Sequence, residues 1–257
     1  MTAATFAPDS SLVDAVVPSP NHGMRQDFAQ PDMILLHYTG MRDAETALRR
    51  LCERGSEVSA HYVVFTDGRI VQSVPEARRA WHAGEAFWAG ETDINSRSIG
   101  IEIVNPGHDF GYPDFTDVQI TAVIALCRDV LARRPIASSR VLAHSDVAPR
   151  RKQDPGEKFP WHRLAAEGVG DWVEPEPIAN GGPTLAHGDQ GPQVHELQSE
   201  LAAYGYGIDA TSRYDSQTGL VVAAFQRHFR PARVDGQADL STRKTLSRLL
   251  MNRRVGA

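Results

Sequence analysis

Three short β-rich runs, MILLHY (33–38), SIGIEIVN (98–105) and RVLAHSD (140–146), lie far apart in the chain, with helix-periodic segments between them. Apolar strands this short bury themselves by pairing in one sheet, and the interspersed helices must cover that sheet. The spacing therefore predicts a mixed α/β fold with a central mixed β-sheet flanked by helices. In SIGIEIVN the alternation has period two, so Ile99, Ile101 and Ile103 share one face while Gly100, Glu102 and Val104 point to the other. His37 stands near the end of the first strand, and the third is read as ending at His144.

The helical segments are equally readable. Residues 43–54 place Ala44, Ala47, Leu48, Leu51 and Cys52 on one face, with Asp43 as N-cap and Gly55 as a stop. Residues 116–133 open with Thr116 and Gln119 in capping-box spacing and carry Ile120, Val123, Ile124, Cys127, Val130 and Leu131 at helical period. Between them, AHYVVFTDGRIVQSV (60–74) reads as a hairpin turning at Asp67-Gly68.

A Pro- and Ser-rich lead-in occupies the chain to about residue 30. A stretch dense in Pro, Gly and acidic residues, 170–183, reads as a linker. Beyond it, residues 191–204, 215–230 and 239–250 read as three short helices, with apolar stripes such as Val194, Leu197 and Leu201, and Leu220, Ala224 and Phe225. The expected organisation is a domain over 20–168, a linker over 169–185 and a small C-terminal three-helix domain over 186–252.

A formal net charge of −5 argues against a nucleic-acid partner, which would need a clustered basic surface. The two cysteines, Cys52 and Cys127, fall on apolar helix faces and read as buried core thiols. No run is long enough to span a membrane. No Lys or Arg precedes Arg25 and no apolar run before it is long enough for a signal core, so a cytoplasmic location is the default expectation.

His37, His144 and Asp154 form a candidate metal-ligand set. A catalytic zinc takes three such side chains and leaves its fourth position for water. The loop carrying Lys152 and Asp154 returns through PGEKFPW towards the strand end, where loops carry function more often than packing. Glu102 and Lys152 supply a carboxylate and a fixed positive charge for the chemistry.

These motifs resemble the zinc N-acetylmuramoyl-L-alanine amidases of the type-2 group, related to peptidoglycan-recognition proteins and T7-type phage lysozymes. The resemblance covers about residues 20–168 and rests on the strand-end His37, on HSD at 144–146 and on KQDPG at 152–156. It implies one Zn2+ per chain on His37, His144 and Asp154, Glu102 as the catalytic glutamate and Lys152 as the oxyanion stabiliser. Trp81 and His82 of AWHAG, together with Asn105, are the implied substrate contacts. The implied reaction is hydrolysis of the amide between the lactyl group of N-acetylmuramic acid and L-alanine.

Residues 186–252 resemble a three-helix peptidoglycan-binding domain, through Leu197-Gln198, the Gly-Tyr-Gly turn, Phe225-Gln226 and Asp235-Gly236. That likeness implies a peptidoglycan or muropeptide partner, and it places the chain in the cell envelope, against the cytoplasmic expectation. A monomer is expected. The rivals are a noncatalytic recognition protein, which would have lost a ligand, and a zinc peptidase, disfavoured because no H-E-x-x-H helix occurs.

Overall fold

The computed structural model describes residues 5–26, 30–178 and 182–255. Its strands are β1 (Ala15–Val16), β2 (His22–Met24), β3 (Met33–Tyr38), β4 (Tyr62–Val64), β5 (Ile70–Gln72), β6 (Arg78–Ala80), β7 (Ser98–Ile103) and β8 (Val141–Ala143). The helices are α1 (Ala44–Cys52), α2 (Ile94–Arg97), α3 (Asp117–Arg133), α4 (His144–Val147), α5 (Trp161–Ala166), α6 (Pro192–Tyr204), α7 (Ser216–Phe229) and α8 (Leu240–Val255).

The main sheet has the order β1-β5-β4-β7-β3-β8, and β2 pairs with β6 in a separate ribbon. Pairing is parallel except for the β4–β5 hairpin, so the sheet is mixed, as the strand and helix pattern predicts. The hairpin turns through Gly68 at φ 86°, a left-handed conformation open to glycine without strain.

Ile99, Ile101 and Ile103 of β7, with Ile34 and Leu36 of β3, pack on Ile120, Val123, Leu126, Cys127 and Val130 of α3. The opposite face is covered in two places. Val63 and Val104 meet Leu51 of α1, while Met33, Leu35 and Leu142 share a buried cluster with Val194, Leu197, Leu201, Val221 and Phe225 of the C-terminal helices. Between these two coverings the sheet face stays open, and the site lies there.

Several local expectations need correction. The lead-in supplies two short strands, β1 and β2, and is pinned by side chains: Ser19 Oγ donates to the Leu51 carbonyl at 2.6 Å and Asn21 Nδ2 to the Glu53 carbonyl at 2.8 Å. Strands of two or three residues held by polar anchors leave no hydrophobic period to read; residues 27–29 of the lead-in lie outside the described residues. Thr116 caps α3 by accepting from Gln119 N, but the Gln119 amide reaches instead to the Val64 and Val104 carbonyls, so the capping box is half made. Leu220 is exposed, because α7 turns Val221, Val222, Ala224 and Phe225 inward. Cys127 is fully buried, whereas Cys52 is half-buried and its Sγ faces the Val17 carbonyl.

Within the expected linker, Val169 and Val173 are buried, and the Glu176 backbone is bonded to Ser241 and Thr245 of α8. Residues 179–181 of that stretch lie outside the described residues.

Candidate active site

Strands β3 and β7 run parallel with His37 opposite Glu102, so both side chains leave the sheet on the same open face. On the other side of β3, strand β8 stops at Ala143 and His144 opens the single turn α4. The loop after α4 returns to this strand end, where Ser145 N donates to the Asp154 carbonyl at 3.0 Å. Three segments far apart in sequence thus meet at the carboxyl ends of neighbouring parallel strands.

His37 Nδ1, His144 Nδ1 and Asp154 Oδ2 converge: the two nitrogens are 2.9 Å apart, and the carboxylate oxygen lies 3.1 and 3.0 Å from them. All three side chains are buried. His144 Nε2 donates to the Ala83 carbonyl at 3.0 Å, which leaves Nδ1 as a lone pair aimed into the cluster. His37 Nε2 is 3.0 Å from His82 Nδ1. Buried lone pairs of one polarity repel unless a cation joins them, so this donor set fits a zinc ion: two imidazoles, one carboxylate and ring orientations fixed from behind.

The electrostatics agree. Burial, and then the neighbouring His144, push the His37 imidazole down to about 4 against the pull of Asp154, so the ring is neutral and able to ligate at neutral pH. Burial alone would raise Asp154, but its contacts with His144 and His37 outweigh that and hold the carboxyl well below the usual range; with both rings turning lone pairs inward, the positive charge this requires falls to the cation the three groups would hold. Glu102 goes the other way: burial first and the Asp154 charge second hold it well above the ordinary carboxylate range, with Lys152 opposing. Its Oε2 is shielded and has no hydrogen-bond partner among the described residues.

A cleft of about 380 Å³ opens over these groups. Glu102, Lys152, Trp81 and His82 all line it, as do Tyr38, Arg50, His108 and Asp109. His82 is buried, its Nδ1 against His37 and its Nε2 3.3 Å from Ser98 Oγ, and Gly100 makes room for the ring: a Cβ there would come within 2.5 Å of it. Asn105 is not part of the cleft lining. It is buried, its Nδ2 donates to the Pro113 carbonyl and its Oδ1 accepts from Gly107 N, which leaves its amide occupied with loop backbone.

Sequence reasoning missed Tyr38 and His108 of the cleft lining: the Tyr38 hydroxyl lies 3.0 Å from His108 Nδ1, and His108 Nε2 lies 3.1 Å from Glu157. It also missed Asp146, whose carboxylate is fully buried behind His144. The HSD motif was the one available signal for Asp146.

Residues 27–157 match the N-acetylmuramoyl-L-alanine amidase family, and residues 190–246 match a peptidoglycan binding domain family. The N-acetylmuramoyl-L-alanine amidase AmiD of Escherichia coli K12 is 37% identical over 236 residues, covering 85% of this chain and 82% of that protein. The solved complex of E. coli AmiD with the substrate anhydro-N-acetylmuramic acid-L-Ala-D-gamma-Glu-L-Lys superposes with a TM-score of 0.74 at 35% identity, over 88% of this chain and 92% of the other. The 1,6-anhydro-N-acetylmuramyl-L-alanine amidase AmpD of Enterobacter cloacae is 34% identical over 60% of this chain and 90% of its own length. Sequence and backbone agree along most of the chain, and it belongs to the N-acetylmuramoyl-L-alanine amidase family.

Proposed function

We propose that this amidase is a zinc enzyme that cleaves the amide between the lactyl group of N-acetylmuramic acid and L-alanine in peptidoglycan or its soluble fragments. The observation that carries the reading is the convergence of His37 Nδ1, His144 Nδ1 and Asp154 Oδ2 at the floor of an open cleft. A zinc ion held there would polarise the scissile carbonyl and lower the pKa of the attacking water.

The protein's own groups do the rest. Glu102, desolvated and unpartnered at Oε2, takes the proton from the attacking water and delivers it to the departing amine nitrogen of L-alanine. Lys152 presents a fixed positive charge where the carbonyl oxygen becomes an oxyanion. Trp81 and His82 line the cleft; Trp81 offers the substrate an apolar wall, while His82 holds the ring of His37. The bound molecule in the E. coli AmiD complex is a muramyl peptide, which supports the same substrate class here.

The division at 20–168, 169–185 and 186–252 assigns catalysis to the first part and wall attachment to the last. Tethering to an insoluble polymer raises the local concentration of cleavable bonds without new catalytic contacts, which favours work at the cell wall. No helix among the described residues is long and apolar enough to cross a membrane. We take the working unit to be a monomer.

The test is mass spectrometry of products after the zinc-loaded protein is incubated with intact sacculi and, separately, with soluble anhydro-muropeptides, with a chelated control. Zinc-dependent release of free stem peptides is the expected result, and the faster substrate identifies wall remodelling or fragment recycling. Bound but uncleaved material would overturn the reading.

A further inference from the structure

The C-terminal helices do more than lie beside the catalytic part: they grip the loop that carries its ligands. Asp146 is two residues beyond His144 and fully buried. Its Oδ2 accepts from Ala143 N at 2.8 Å, closing the turn that presents His144, and also from His228 Nδ1 of α7 at 2.7 Å. Its Oδ1 accepts from the Tyr206 hydroxyl, just beyond α6, at 2.7 Å.

His228 is itself fixed. It stacks on Trp161 at 3.7 Å between ring centroids, and its Nε2 has no partner among the described residues, so Nδ1 makes its one polar contact there. The same helix reaches the loop twice more, through Gln217 to Arg150 and through Arg227 to Gln153 at 3.1 Å.

We propose that His228 and Tyr206 are positioning residues for the metal site: through Asp146 they hold the turn that aims His144 Nδ1 at His37 and Asp154. The proposal rests on the zinc reading above. A tether needs only a surface for the polymer and a connection to the enzyme. Two buried donors on a carboxylate beside a ligand are not required for attachment, but they are what orienting a ligand requires. Groups that hold ligands from behind tune metal affinity without touching the ion, and their loss costs about ten- to a hundredfold.

The test uses the full chain and compares wild type with His228→Ala, His228→Asn, Tyr206→Phe and Arg253→Ala. Zinc dissociation constants come from competition with a chromogenic chelator. kcat and KM are measured on a small soluble muropeptide, for which tethering is irrelevant. His228→Ala and Tyr206→Phe are expected to weaken zinc about ten- to a hundredfold and to lower kcat with little change in KM. His228→Asn keeps a donor near the Nδ1 position and is expected to recover most of the affinity. Arg253 binds Asp171 and the Tyr204 carbonyl elsewhere on the same junction, so Arg253→Ala is expected to leave zinc affinity unchanged.

Wild-type zinc affinity in both His228→Ala and Tyr206→Phe would overturn the proposal, as would equal weakening in Arg253→Ala, which would make general docking the cause. If His228→Ala does not fold, Tyr206→Phe, which removes one hydroxyl, decides alone. A wild-type protein that binds no zinc would sink the metal reading itself, and this proposal with it, whereas failure confined to the variants overturns this proposal alone.

Discussion

His37 and Glu102 sit directly opposite each other on the parallel strands β3 and β7, so a candidate metal ligand and a desolvated carboxylate share one face of the sheet. A change at Glu102 therefore separates chemistry from metal binding. Glu102→Gln keeps the shape and removes the proton acceptor; it is expected to retain zinc while kcat falls by at least about a hundredfold. Metal analysis and steady-state rates on a muropeptide check both halves, and near-normal turnover would remove Glu102 from the proton role.

Each ligand is expected to be indispensable. Replacing His37, His144 or Asp154 by Ala leaves two donors where tetrahedral zinc uses three protein ligands. Zinc content after dialysis and amidase activity should be lost together in each variant. A fully active, zinc-replete Asp154→Ala would show that the carboxylate is not a ligand.

Lys152 is expected to act on turnover rather than on affinity. Lys152→Met keeps the length of the side chain and removes the charge, so kcat should fall about a hundredfold with KM nearly unchanged, the signature of a group that acts on the oxyanion. A rise in KM at constant kcat would reassign it to substrate binding.

Gly100→Ala tests how the His37 ring is held. The added methyl would collide with the His82 ring and force it off His37. Zinc affinity should fall about tenfold, and overpacking should destabilise the fold by about 1–3 kcal/mol. Chelator competition and thermal unfolding read the two effects, and wild-type values in both would show that His82 has room to move.

Stability at low pH has a separate source. The buried Glu76 carboxylate binds Arg133 and Arg134 and accepts from the Tyr62 hydroxyl. Burial would raise its pKa, but these partners hold it down to about 2 from an ordinary value of 4.5. Because the folded value is the lower one, the stabilisation is complete above pH 4.5 and is lost as the pH falls towards about 2. Glu76→Gln is expected to cost about 3 kcal/mol at neutral pH, with the gap to wild type closing over that acid range in denaturant titrations of zinc-free protein. A gap that stays constant with pH would show that the charge of Glu76 contributes nothing.

Local pattern was enough to read β3, β7, α1 and α3, because each is long enough to show its period and each has an apolar face to bury. The same pattern brought His37 and His144 to strand ends and put Glu102 on the face opposite the isoleucines of its strand. It could not read β1 and β2, whose anchors Ser19 and Asn21 bond to α1 and the residue after it, or see that the Asn105 amide serves the backbone of its own loop.

The sequence by itself determined which side chains are available for the chemistry and which strands carry them, since those follow from residue type and from the alternation of side chains along a strand. Only the tertiary structure decided the rest. The 2.9–3.1 Å convergence of the three donors, the support of His37 by His82 and the burial of Asp146 beneath His228 and Tyr206 depend on contacts between segments that local periodicity cannot connect. Parallel pairing of β3 with β7 and β8 underlies the first, the seating of His82 against Gly100 with its backbone N–H on Asn95 sets the second, and the packing of α7 across the ligand loop sets the third.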